Sequence, residues 1–127
     1  MKIHESAENY LEMILVLQNR IGEVRSIDIV NEMGFSKPSV SVAMKQLREH
    51  GYVEVSGKGY ISLTASGLSV ASKIYERHTM LTKALVALGV SEEVAREDAC
   101  RIEHHISQET FEKIKLHMVE NGFPEKK

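Results

Sequence analysis

SIDIVNEMGFSKPSVSVAMKQLREHGYVEVSGKGYISLT, residues 26–64, is the stretch on which the fold turns. Ser26 can cap a helix that carries Ile27, Ile29, Val30 and Met33, and Gly34 stops it. After Phe35, Ser36 caps a second helix with Lys37 and Pro38 in its first turn, where proline gives up no hydrogen bond. Val40, Val42, Met44 and Leu47 are its apolar positions, and it ends near Gly51. Tyr52, Val53 and Val55 then face Tyr60, Ile61 and Leu63 across Ser56-Gly57-Lys58-Gly59, a tight turn with a basic tip. Two short helices joined by a glycine-containing turn and followed by a two-stranded wing form a DNA-reading arrangement.

The flanks are helical. Tyr10, Leu11, Ile14, Leu15 and Leu17 make an apolar stripe in a first helix over about Glu5–Arg20, closed by Gly22. After the wing, Thr64 or Ser66 caps a long helix from about Ala65 to Leu88. Its row Ala71, Ile74, His78, Leu81, Leu85, Leu88 steps by three or four, and Gly89 stops it. Ser91 caps a helix with Glu92 and Glu93 against its positive end. Ser107 opens a last helix with Phe111, Ile114, Met118 and Val119, which ends at Gly122 and Pro124. The chain therefore reads as mainly α, with a winged helix-turn-helix over 1–64 and a helical domain over 65–127.

Composition narrows the function classes. At 127 residues and 43% hydrophobic, the chain can bury a core. Its start has no apolar leader, and no apolar run reaches the ~18 residues of a membrane span. Its single cysteine allows no internal disulfide. The expected location is the cytoplasm. Charge is uneven: Arg25–Tyr60 holds five Lys/Arg against four Asp/Glu, whereas Ser91–Glu120 holds eight acids against four bases. DNA prefers the first stretch and cations the second.

In the second helix of the helix-turn-helix, Ser36, Lys37, Pro38, Ser39 and Ser41 are slim leading residues that can approach base edges or phosphates. Lys45 lies further along the same helix for a phosphate, and Lys58 sits at the tip of the wing. The same pattern also fits an exposed helix start in a protein-binding winged helix.

Asp98-Ala-Cys-Arg-Ile-Glu-His-His holds the densest ligand chemistry. Cys100, Glu103 and His104 stand at i, i+3 and i+4, so they share one helix face. His78 occupies a core-facing slot of the long helix, and Asn9 and Glu12 share a face of the first. Mixed oxygen, nitrogen and sulfur donors suit Fe²⁺, Mn²⁺, Co²⁺, Ni²⁺ or Zn²⁺ over Ca²⁺ or Mg²⁺. A small buried cysteine, a hydrogen-bonded core histidine and a surface glutamate account for the same residues without an ion.

ENYLEMI in the first helix, SKPSVSVAMKQL in the second helix of the helix-turn-helix, GYISLTASG after the wing, YERH in the long helix and DACRIEHHIS together cover about residues 5–122. In these motifs the chain resembles the iron- and manganese-dependent repressors related to the diphtheria toxin repressor and the manganese transport regulator, in the short form without an SH3-like domain. The resemblance implies a winged helix-turn-helix followed by a helical metal-binding and dimerisation domain. It places Glu12, His78, Cys100, Glu103 and His104 on family ligand positions. Asn9 falls on one too, where the manganese type more often has Asp and the iron type Met. Cys100 matches the iron type rather than the Glu of the manganese type. Thr82 and Arg96 stand where the iron type has ligands. The implied cofactor is Fe²⁺ or Mn²⁺. The implied partners are a second copy of the chain and a palindromic double-stranded operator, with no membrane. The implied function is metal-activated repression of iron or manganese uptake genes. The alternative is a winged-helix factor that senses oxidation or another ligand. No HExxH, P-loop or GxSxG pattern is present, so no enzyme is expected.

Overall fold

The structure is a computed structural model that describes residues 5–121. Its elements are α1 (Glu5–Ile21), α2 (Ser26–Met33), α3 (Lys37–Glu49), β1 (Val53–Val55), β2 (Ile61–Leu63), α4 (Ala65–Ala87), α5 (Glu92–Ile102) and α6 (Gln108–Asn121). This is the mainly helical order that the sequence implies, with the hairpin where the wing was expected. The expected stop of the last helix at Gly122 and Pro124 lies outside the described residues. The chain divides into two compact units, residues 1–73 and 74–127, and the division falls inside α4.

The first unit is built on α1. Tyr10, Leu11, Ile14 and Leu17 lie on one side of it and are buried with Ile29 of α2, Val40, Met44 and Leu47 of α3, Val53 and Ile61 of the hairpin, and Ala71. Burial of this apolar area is what holds three short helices and two three-residue strands together. Not every expected apolar position is inside. Ile27 is 42% exposed and Val42 57%, because an eight- or thirteen-residue helix has only one side against so small a core.

The starts of the helices follow local chemistry. Ser36 caps α3, its side chain accepting from the Ser39 N–H at 3.2 Å. At α2 the sequence expectation is corrected: Ser26 is the first helical residue, and the Asp28 carboxylate accepts from the Arg25 N–H at 2.9 Å instead. Thr64, not Ser66, caps α4, accepting from the Gly67 N–H at 3.1 Å.

The wing pairs antiparallel, with Val53 opposite Leu63, Glu54 opposite Ser62 and Val55 opposite Ile61. One contact is invisible to periodicity. Val24, fully buried between α1 and α2, accepts from the Ile61 N–H at 2.7 Å and forms an isolated bridge to β2. The connection after α1 therefore braces the root of the wing.

In the second unit, α4 buries Ile74, Arg77 and Leu81, α5 buries Ala95 and Ala99, and α6 buries Phe111. Ser91 and Ser107 accept from the N–H groups of Val94 and Thr110, as their positions imply. Lys115 donates to Glu76 at 2.6 Å and ties α6 to α4. Leu88, expected in the apolar row, lies beyond the end of α4 and is 81% exposed. Among the described residues no helix is long and apolar enough to cross a membrane.

Gly67 sits where the first turn of α4 crosses the end of the helix-turn-helix. A Cβ built there would lie 2.0 Å from the Tyr52 carbonyl oxygen, which is main chain and cannot rotate away. Gly67→Ala is expected to lower stability by about 1–3 kcal/mol, the cost of overpacking, read as a lower urea midpoint at unchanged slope.

Candidate metal centre and nucleic-acid interface

α5 ends at Ile102, and Glu103 is its C-cap, still in right-handed helical geometry (φ −59°, ψ −26°). The Glu103 N–H bonds the Ala99 carbonyl at 2.9 Å, and the chain then turns through His104 and His105 towards Ser107. Glu103 is completely buried and the His104 side chain is 1% exposed, whereas Cys100 is exposed. Because Glu103 keeps helical geometry, Cys100 and Glu103 retain the i, i+3 spacing of one helix side, with the thiol on its exposed part and the carboxylate buried.

His78 Nδ1 and Glu103 Oε1 are 2.9 Å apart, with the carboxylate accepting. Glu103 Oε2 lies 3.3 Å from His104 Nε2, yet it has no hydrogen-bond partner among the described residues. A buried carboxylate oxygen without a partner is costly, and a cation is the partner that satisfies a carboxylate best. An imidazole on Oε1 and a buried carboxylate are donors of the kind that suit Mn²⁺, Fe²⁺ and their neighbours. The residues of this unit thus fit a divalent transition ion. Thr82 donates its hydroxyl to the His78 carbonyl at 2.7 Å and Arg96 pairs with Glu92 at 2.9 Å; neither is directed at Glu103 by these bonds.

Asn9 and Glu12 belong to the first unit, half-buried on α1. They flank Tyr10 and Leu11, which reach the core of that unit. The Tyr10 ring also meets Phe35 edge-on at 5.9 Å, in the turn before α3. Burial pushes the Tyr10 hydroxyl above its usual range, as expected for a phenol inside this packing.

On α3, Val40, Met44 and Leu47 face inward, which turns Lys37, Pro38, Ser39, Ser41, Val42 and Lys45 outward. Ser36 and Ser39 are linked hydroxyl to hydroxyl at 2.9 Å, so the cap is pre-set at the exposed helix start. Lys58 is exposed at the wing tip, where the Ser56 hydroxyl accepts from the N–H groups of Lys58 and Tyr60. Sequence reasoning missed three members of this surface. Arg25 lies 4.5 Å over the Tyr60 ring and donates to its hydroxyl at 3.1 Å, fastening α2 to the wing. Arg48 and Val42 line a shallow depression of about 310 Å³ with Ser41, Lys45 and Val55. The exposed valine was the available signal, since helix periodicity puts position 42 opposite the buried row of α3.

The profile of the iron-dependent repressor N-terminal DNA-binding domain matches residues 2–61, and that of the iron-dependent repressor metal-binding and dimerisation domain matches residues 64–126. The chain belongs to the iron-dependent repressor family. It is 36% identical over 118 residues to the transcriptional regulator MntR of Escherichia coli O6:H1, covering 93% of this chain and 76% of that protein. It is 32% identical to an HTH-type transcriptional regulator of Methanocaldococcus jannaschii, covering 90% of this chain and 93% of that one. Among solved structures it is similar to a manganese-dependent transcriptional repressor in complex with manganese, with TM-score 0.81, 27% identity, and 88% of this chain and 52% of that chain covered. It is also similar to the manganese regulator SloR, with TM-score 0.78, 26% identity, and 93% and 54% covered. The chain spans about half the length of these two solved chains.

The Ser36 cap supports the helix start on which the interface is built. Ser36→Ala is expected to cost about 1 kcal/mol, the usual value of a lost N-cap, in equilibrium urea unfolding.

Proposed function

We propose that this family member is a transcriptional repressor whose operator binding is switched on by Mn²⁺ or Fe²⁺. The observation that carries this reading is the buried Glu103 carboxylate, whose Oε1 meets His78 and whose Oε2, without a hydrogen bond among the described residues, faces His104 at 3.3 Å. It lies in the region matched by the family's metal-binding profile. The names of its relatives, regulators and manganese-dependent repressors, support the same assignment.

The proposed ligands are His78, Glu103 and His104, with Cys100, Glu12 and Asn9 as the further donors that the sequence pattern nominates. A bound divalent ion supplies the positive charge these donors need and a link between the helices that carry them. Glu103 gives the ion a dry, fixed oxygen. Asn9 and Glu12 give it a handle on α1, and α1 carries Tyr10 against the turn before α3. The reading domain, assigned to residues 1–64, is thereby held in one orientation out of several, which is a population shift. In a homodimer formed through residues 65–127, fixed orientation means fixed spacing of two α3 helices on a palindromic operator. Lys37, Lys45 and Lys58 contact phosphate, and Ser36, Pro38, Ser39 and Ser41 lie against the groove. By linkage, DNA tightens metal binding by the same factor, typically about 1–3 kcal/mol. The chain acts in the cytoplasm, without catalysis, on iron or manganese uptake genes.

The exposed thiol of Cys100 supports one rival, a switch driven by oxidation of that sulfur. Thiol alkylation that blocks operator binding equally with and without metal would favour the rival.

The direct test is operator binding by anaerobic protein with and without Mn²⁺ or Fe²⁺. Metal-indifferent tight binding overturns the switch. Glu103→Ala is expected to leave binding at its metal-free level whatever the ion concentration. Lys37→Ala is expected to weaken binding at every metal concentration and to lower the slope of log K against log salt by about one.

A further inference from the structure

Arg77 is a charged residue in the buried row of α4, 7% exposed, and the metal chemistry above gives it no task. Its Nη1 donates to the Glu103 carbonyl at 3.0 Å and to the Ile106 carbonyl at 2.9 Å. Its Nη2 donates to Gln108 Oε1 at 2.9 Å, and the guanidinium lies 5.6 Å over the Phe111 ring. All three hydrogen-bond acceptors are neutral oxygens, and its Nε has no partner among the described residues. A buried cation that lacks a carboxylate partner is expensive, so its position requires a compensating use.

That use is visible in what the acceptors have in common. Glu103 and Ile106 bracket the turn at the end of α5, and Gln108 is the first residue of α6. The last carbonyls of a helix lack partners within it, and Arg77 supplies one to Glu103 from the neighbouring helix. His78, the next residue on α4, bonds the Glu103 carboxylate. Adjacent residues of one helix thus hold Glu103 at two points, Arg77 at the main chain and His78 at Oε1, leaving Oε2 turned towards His104. A planar fork meets two carbonyls and an amide oxygen in one fixed geometry, whereas an ammonium is a point charge on a flexible stem.

We propose that Arg77 is the positioning residue of the metal centre: by fixing the main chain of Glu103–Ile106 it presets the Glu103 carboxylate and His104 imidazole for a divalent ion. The inference rests on the metal reading above and adds to it a residue that touches no ion. Loss of such an outer partner typically weakens metal affinity about 10–100-fold.

The test is titration of the whole chain with Co²⁺ under anaerobic conditions, read by its visible ligand-field bands. Far-UV circular dichroism and oligomeric state are recorded alongside. Arg77→Lys and Arg77→Met are compared with Lys115→Met, which cuts a different tie between α4 and α6 and leaves the turn alone. Gln108→Leu, which removes one arm of the fork, is carried along in case both Arg77 variants unfold. The expected result is a Co²⁺ affinity at least about tenfold weaker, with displaced bands, in the folded Arg77 variants or in Gln108→Leu, and wild-type behaviour in Lys115→Met. Lysine retains the charge, so failure of Arg77→Lys to restore the bands marks geometry as the cause. Folded Arg77 or Gln108 variants with wild-type bands and affinity overturn the positioning role while leaving the metal reading standing. Equal losses in Lys115→Met overturn it as well, since they mark general loosening of α4 against α6. Wild-type protein that shows no Co²⁺ bands removes the metal reading itself.

Discussion

A carboxylate with no solvent exposure, one of whose oxygens has no hydrogen bond among the described residues, is the constraint to which the rest of the second unit answers. Glu103 lies at the end of α5 because Ala95 and Ala99 bury one side of that helix and carry its C-terminus inward. Once there, the side chain cannot be solvated, so it must be hydrogen-bonded, protonated or bound to a cation. His78 satisfies one oxygen and leaves the other facing an imidazole. An arrangement of this kind is poor economy for stability alone. Apolar residues of similar volume would pack as well without the desolvation cost. Its cost is understandable when a divalent ion is the missing partner.

The first unit solves a different problem. Three short helices and a minimal hairpin have little area with which to hold a reading surface still. The hydrophobic core around Leu11, Ile14 and Ile29 supplies cohesion, and a few directional contacts fix the angles. Val24 bridges to Ile61 at the root of the wing, Arg25 covers Tyr60, and Arg20 reaches Glu32 at 2.9 Å. Each ties two elements that would otherwise meet only through apolar packing, which specifies position less strictly than hydrogen bonds do. The outward side of α3 is therefore presented by a frame that includes α1, and α1 also carries Asn9 and Glu12.

Much of this was legible in residue order. Gly34, Ser36 and Pro38 punctuate the helix-turn-helix, and Ser56–Gly59 announces the hairpin, because these residues act through their own backbone preferences within a few positions. The acidic, histidine-bearing end of α5 was legible for a similar reason: ligand types concentrated in eight residues stand out without coordinates. Periodicity misjudged side chains near element ends and on short helices. Leu88 and Ile27 fit an apolar repeat but lie where no neighbour covers them.

The sequence by itself determined the element order, the wing, and the helix caps at Ser36, Ser91 and Ser107, since all of these follow from interactions between near neighbours in the chain. Tertiary structure alone decided that Glu103 is dry and half-partnered, that Val24 joins the sheet, and that Arg77 spans 26 to 31 residues to grip the turn beyond α5. Such long-range pairings depend on which surfaces exclude water together, and no local pattern of side chains encodes that.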